Sequence, residues 1–71
     1  MLKVTITPKV QIPGGDFFLD TDDERVYKTN AVTMSNGHLL FWDNERDSAF
    51  NHKLDFVNYF YDIVTLERRY E

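Results

Sequence analysis

The chain opens with a strict alternation of apolar and polar side chains. Leu2, Val4 and Ile6 share one parity, and polar residues occupy the positions between them. A period of two with β-branched residues predicts a half-buried strand. Because Pro8 cannot donate a hydrogen bond to a neighbouring strand, the pattern predicts an edge strand that is bent at Pro8 or divided there into two short pieces.

Two short segments and an acidic stretch follow this strand. Residues 13–16, Pro-Gly-Gly-Asp, have the composition of a turn. The apolar residues 17–19 predict a second short strand. Residues 20–25 are the most acidic stretch of the chain and predict a solvated loop.

The clearest local signal is Asn-Gly at positions 36–37, which stands between two runs of strand-forming residues. Asn-Gly is the preferred two-residue loop of a hairpin, because both central residues adopt positive φ. A two-residue loop fixes the register, so that Met34 faces Leu39 and Val32 faces Phe41. These four apolar side chains share one face of the hairpin, which we expect to be buried.

The other face of the same hairpin carries Leu40 and Trp42 among small and polar residues. A sheet face of mixed composition does not need to be covered by the core. The register therefore predicts that these two large apolar side chains stand on a face open to a partner.

The second half of the chain gives weaker signals. Residues 43–53 are mostly polar and predict a loop or one helical turn. Residues 54–70 fit two structures: a helix with an apolar stripe at helical spacing, or a strand. Phenylalanine, tyrosine, valine, isoleucine and threonine dominate the segment, and this composition favours the strand.

These elements predict a single domain over residues 1–71 of the mainly β class. We expect a small antiparallel meander or a partly closed barrel of four to five strands. The alternative is an α+β fold in which a C-terminal helix packs on the sheet. The predicted core consists of Val4, Ile6, Val32, Met34, Leu39 and Phe41.

Composition adds the expectation of an interface. A chain of 71 residues without cysteine can use no disulfide, and about 60% burial leaves a domain of this size only marginally stable. Its eleven aromatic residues (six Phe, four Tyr, one Trp) exceed what so small a core can hide. Exposed tyrosine and tryptophan are common anchors of protein interfaces, so we expect a partner surface formed by Leu40, Trp42, Tyr59 and Tyr61.

No residue pattern points to catalysis, a cofactor or a metal. The acids at positions 20, 22 and 24 are spaced like the start of a calcium loop, but Arg25 and Ala31 stand where that loop needs Gly and Glu. His52 lies near Ser48 and Asp55 without the sequence context of a nucleophile elbow. We therefore expect no enzyme, no cofactor and no metal.

Charge and length suggest further classes of function. The net charge of −4 permits an acidic inhibitor, of the phage or mobile-element type, that occupies a basic nucleic-acid-binding site of a host enzyme. Its acidic surface would comprise Asp20, Asp22, Asp23, Glu24, Asp43, Glu45 and Asp47.

A small β-barrel that binds nucleic acid is the third class. Neither half of the chain is basic, which argues against nucleic acid as a ligand. The leading hypothesis is a non-enzymatic, regulatory protein-interaction module that binds a protein partner or forms a homodimer. The longest uninterrupted apolar run, residues 39–42, is too short to span a membrane. With no secretory signal evident, we expect a cytoplasmic location.

Overall fold

The computed structural model describes residues 1–66, whose regular secondary structure is β-strand except for one short 3-10 turn. The strands are β1 (Leu2–Gln11), β2 (Phe17–Leu19), β3 (Arg25–Thr29), β4 (Val32–Ser35), β5 (His38–Asp43), β6 (Ser48–Lys53) and β7 (Tyr59–Thr65). They form two antiparallel sheets, β2-β1-β3 with β7 also on β1, and β4-β5-β6. The sheets do not close into a barrel. The prediction of a small mainly β meander is confirmed, with more strands than expected.

Strand β1 is the centre of the first sheet, and its neighbours change at Pro8. Residues Leu2 to Pro8 pair with β7 on one side, and Leu2 to Ile6 pair with β3 on the other. Beyond Pro8, β2 takes over from β3. The Asp20 amide donates to the Pro8 carbonyl at 2.9 Å, and proline has no amide hydrogen to return the bond.

Pro8 therefore lies between the last residue of β1 that pairs with β3 and the first that pairs with β2. Its missing amide hydrogen removes no hydrogen bond to either strand. The predictions of an edge strand and of two short pieces divided at Pro8 were wrong. β1 is continuous from Leu2 to Gln11, and residues 2–6 lie between β3 and β7. Thr5 and Thr7 have the predicted parity, on the face opposite Val4 and Ile6, but both are buried there. The larger neighbours Val26 and Phe60 stand beside them on β3 and β7.

The hairpin of β4 and β5 has the predicted register. Met34 pairs with Leu39 and Val32 with Phe41. Asn36 and Gly37 have φ values of 52° and 73°, as a turn with positive φ at both central positions requires.

The expectation of a loop or helical turn over residues 43–53 was wrong. β5 runs to Asp43, and residues 48–53 form the third strand of this sheet, pairing with β5. The alternation of apolar and polar residues that predicts a strand is not evident here, because the inward-facing side of β6 carries polar Ser48 and His52 as well as Phe50.

The C-terminal segment settles the choice between helix and strand. Tyr59–Thr65 forms β7, as its composition favoured, and residues 54–58 form the turn that leads into it. The alternative fold with a C-terminal helix does not occur over residues 54–66. The part of the prediction that concerns residues 67–70 lies outside the described residues.

The core lies between the facing sides of the two sheets. It consists of Val4, Ile6, Tyr27, Leu39 and Phe41, with Val32 and Phe50 packed against it. The Tyr27 ring is 5.4 Å from that of Phe41 and 4.6 Å from that of Phe50. Five of the six predicted core residues contribute to this cluster.

Met34 is the exception, since 56% of it is exposed. It belongs to β4, the outer strand of its sheet, and lies next to the hairpin turn. Its cross-strand partner Leu39 belongs to the central strand and is fully buried. The predicted register was therefore correct, but the register of one hairpin does not determine which of its residues the other sheet covers.

Candidate protein-interaction surface

Trp42 stands on the outer face of the β4-β5-β6 sheet with 50% of its surface exposed. Position 42 of β5 points away from the core, because Phe41 and Asp43 on either side are buried. Its neighbour on β6 is Ala49, whose small side chain leaves the indole uncovered. This is the face on which the hairpin register predicted Leu40 and Trp42.

A hollow of about 620 Å³ lies beside the indole. Leu40, Trp42 and Ala49 supply much of its apolar lining, and Thr33 and Asn51 bring polar groups. No residue that lines it carries an ionisable side chain. An apolar recess with a few hydrogen-bonding groups suits an aliphatic or aromatic side chain.

The turn from β5 to β6 is held by a buried carboxylate. Asp43 is 2% exposed, and its Oδ1 accepts the amides of Glu45 at 3.0 Å and Arg46 at 3.2 Å. The Arg46 guanidinium donates from Nη1 to Oδ2 at 2.8 Å. This hydrogen bond, followed by those from the amides, lowers the pKa of Asp43 below its ordinary value against the opposing effect of desolvation.

Asp43 therefore does not belong to an acidic surface, which corrects its place in the predicted set. Its charge is satisfied inside the turn. The carboxylates exposed at this turn are those of Glu45 and Asp47, which follow Trp42 closely in the chain. The Arg46 guanidinium lies 5.1 Å from the ring centroid of the core residue Tyr27, and 61% of the Arg46 side chain stays exposed.

The second acidic group, Asp20, Asp22, Asp23 and Glu24, forms a separate surface. It contains the 3-10 turn Thr21–Asp23 and leads into the start of β3. The β5–β6 turn lies at the other end of that strand, where the Asn44 amide donates to the Lys28 carbonyl at 3.0 Å. The structure therefore keeps the two acidic loops apart.

Tyr59 and Tyr61 occupy the inner face of β7 and pack against the core. The Tyr61 hydroxyl accepts the Asp55 amide at 3.0 Å and lies 2.7 Å from His52 Nε2. Burial raises the pKa of Tyr61. These contacts join β7 to β6 and to the 54–58 turn, so a direct role of the two tyrosines in partner binding stays a prediction.

Ala49 and Asn51 are the members of the surface that sequence reasoning missed, because residues 48–53 were expected to be a loop. Their alternation with Phe50 and His52 was the available signal. Residues 1–66 hold no cluster of histidine and carboxylate side chains fit to bind a metal ion, and no helix long and apolar enough to cross a membrane.

Comparisons with protein-family models, with curated proteins and with solved structures found no match to this chain.

Proposed function

We propose that the protein is a non-enzymatic protein-interaction module that seats an apolar side chain of a partner protein in the hollow beside Trp42. The observation that carries this proposal is the half-exposed indole above a recess lined by Leu40 and Ala49 and free of ionisable lining groups. Tryptophan is strongly enriched among the residues that dominate binding energy. Exposing this large apolar side chain to water lowers the stability of a small domain. A role in binding accounts for its exposure.

The charge of the turn that follows Trp42 suggests the second part of the partner. Glu45 and Asp47 are exposed in the turn that follows Trp42, and the chain as a whole carries −4. Opposite charge across the rim of an interface raises the association rate and aligns the partner. The preferred partner segment therefore combines an aliphatic or aromatic anchor with a neighbouring lysine or arginine.

A peptide display library tests this directly. Selection on the immobilised protein should enrich sequences with an apolar anchor beside a basic residue. The double variant Trp42→Ala, Leu40→Ser should then bind the selected peptides at least about thirtyfold more weakly, which corresponds to the hot-spot threshold of about 2 kcal/mol.

The matched control is Phe60→Ala, which removes an aromatic ring that is 44% exposed on the other sheet. It should leave the affinity unchanged. The proposal fails if the library yields no binder, or if the folded double variant binds the selected peptides as tightly as the control.

The acidic-inhibitor and nucleic-acid hypotheses receive less support from the arrangement of charge. The two acidic loops lie apart and Asp43 is buried. Lys3 and Lys28 face each other across β1 and β3, as a basic patch for nucleic acid would require. Lys9 does not extend this patch, because its ammonium donates to the Phe56 carbonyl at 2.7 Å and lies over the Phe17 ring. No specific observation favours either function. The cytoplasmic location stays a prediction.

A further inference from the structure

Strand β7 has one paired edge and one open edge. The Lys9 amide donates to the Asn58 carbonyl at 2.7 Å, so even-numbered residues from 58 onward bond to β1. In an antiparallel ladder the intervening residues point their N–H and C=O groups the other way. These residues are Tyr61, Ile63 and Thr65. Within residues 1–66, β1 is the sole strand that pairs with β7.

This edge lacks the features with which sheet proteins prevent unwanted pairing. Exposed edges are normally short, or carry lysine, proline or a bulge. β2 and β4 are short, and β6 ends in Lys53. β3 carries Arg25 and Lys28. β7 is seven residues long, Tyr-Phe-Tyr-Asp-Ile-Val-Thr, with Asp62 as its one charge.

We propose that this edge binds a second copy of the chain, so that β7 of each protomer pairs antiparallel with β7 of the other around a two-fold axis at Ile63. A two-fold axis needs a self-complementary strand, and the position of Asp62 selects the register. An axis at Asp62 would oppose two carboxylates, which is destabilising. An axis at Tyr61 would pair Ile63 with Tyr59, whose amide already donates to the Asp55 carbonyl at 3.0 Å.

An axis at Ile63 opposes no two carboxylates and needs no amide that donates elsewhere within residues 1–66. Asp62 then faces Val64 of the second copy, and Phe60 faces Leu66. Both members of the latter pair are exposed apolar residues in the single protomer. Residues Tyr61, Ile63 and Thr65 would exchange about six main-chain hydrogen bonds with their partners. The resulting sheet runs continuously through both protomers.

The expected dimer is weak and depends on concentration. A single added strand buries less than the roughly 800 Å² per partner that is typical of stable complexes. We therefore expect half-dissociation at micromolar concentrations. This edge belongs to the other sheet from Trp42, so the dimer does not depend on the proposed peptide site, and either proposal can fail without the other.

Cysteine cross-linking tests the register, because the chain contains no cysteine of its own. Directly opposed residues of a hydrogen-bonded pair have Cα atoms about 5.5 Å apart, which suits a disulfide. Ile63→Cys should form a covalent dimer under mild oxidation with diamide. Val64→Cys should react far less, since its two copies would lie beyond the roughly 6.8 Å limit. Thr33→Cys on β4 gives the rate of random collision.

Cross-linking of Ile63→Cys at the Thr33→Cys rate overturns the proposal, and preferred cross-linking of Val64→Cys overturns the register. Sedimentation equilibrium of the unmodified protein adds a test that needs no variant. A monomer up to about 0.5 mM, far above the expected micromolar midpoint, contradicts the dimer.

Proline substitutions supply the matched pair. Ile63→Pro removes an outward amide of β7 and should abolish dimerisation. Ala49→Pro removes an outward amide of the β6 edge and should leave the dimer intact. If the folded Ile63→Pro variant still dimerises as the wild type does, the open edge of β7 is not the interface.

Discussion

Leu39 and Met34 face each other across the β4–β5 hairpin, yet the structure predicts very different losses of unfolding free energy when each is replaced by alanine. Leu39 is fully buried, and truncation to alanine removes buried methyl groups and leaves a cavity. Such changes cost 2–5 kcal/mol, and a side chain with no exposure belongs near the middle, at about 3 kcal/mol. Met34 is more than half exposed, so Met34→Ala should cost less than about 1 kcal/mol.

The contrast matters because the whole domain has little stability to lose. A single core of this size supplies about 3–5 kcal/mol, so Leu39→Ala should bring the protein close to its unfolding midpoint without denaturant. Urea denaturation followed by circular dichroism measures both variants. Because dimerisation would also contribute, the measurement belongs at a protein concentration well below the expected micromolar midpoint of the dimer. Equal losses from the two substitutions would refute the described placement of one sheet over the other.

Three further predictions concern single contacts. In the folded state the Arg46 hydrogen bond lowers the pKa of Asp43. The ionised carboxylate therefore stabilises the fold above about pH 4, and this stabilisation is lost as the pH falls below that. Asp43→Asn should flatten this part of the acid-unfolding curve. Tyr61→Phe deprives the Asp55 amide of its acceptor and should cost about 1–2 kcal/mol in urea unfolding; no loss would show that water replaces the hydroxyl. Gly37→Ala puts a Cβ at a φ of 73° with nothing within 4 Å, so it should cost about 1 kcal/mol from backbone strain alone; a neutral result would exclude that turn conformation.

Local pattern was enough for the hairpin and for one face of the candidate site. Asn36 and Gly37 specify a turn by their own backbone preferences, and a two-residue loop leaves one register. Leu40 and Trp42 then had to share the outward face, where the structure places both. These inferences needed no knowledge of the rest of the chain.

Features set by distant neighbours were not available from the sequence. Whether Thr5 is buried depends on residues of β3 and β7 that flank it, and whether Met34 is buried depends on the extent of the other sheet. Pro8 is tolerated inside a sheet because β3 gives way to β2 beside it. The sequence pattern did not predict β6, because Ser48 and His52 place polar side chains on its inward face, where a half-buried strand is expected to carry apolar ones.

The acidic residues show the same division. Composition and spacing located two acidic loops, but only the fold shows that they lie at opposite ends of β3. The buried state of Asp43 follows from its contacts with the turn that it closes, through the amides of Glu45 and Arg46. Asp43 shares the parity of Leu39 and Phe41, but this parity was not extended to it because residues 43–53 were expected to be a loop or one helical turn.

The most direct test of the proposed binding surface is the accessibility of Trp42, the single tryptophan of the chain. Acrylamide quenching of its fluorescence should be efficient in the free protein, because half of the indole is exposed. Saturation with a display-selected peptide should shift the emission to shorter wavelength and reduce quenching at least about threefold, as expected when a hot-spot residue is enclosed and water is excluded. A shielded indole in the free protein, or unchanged quenching in the bound one, would contradict the account.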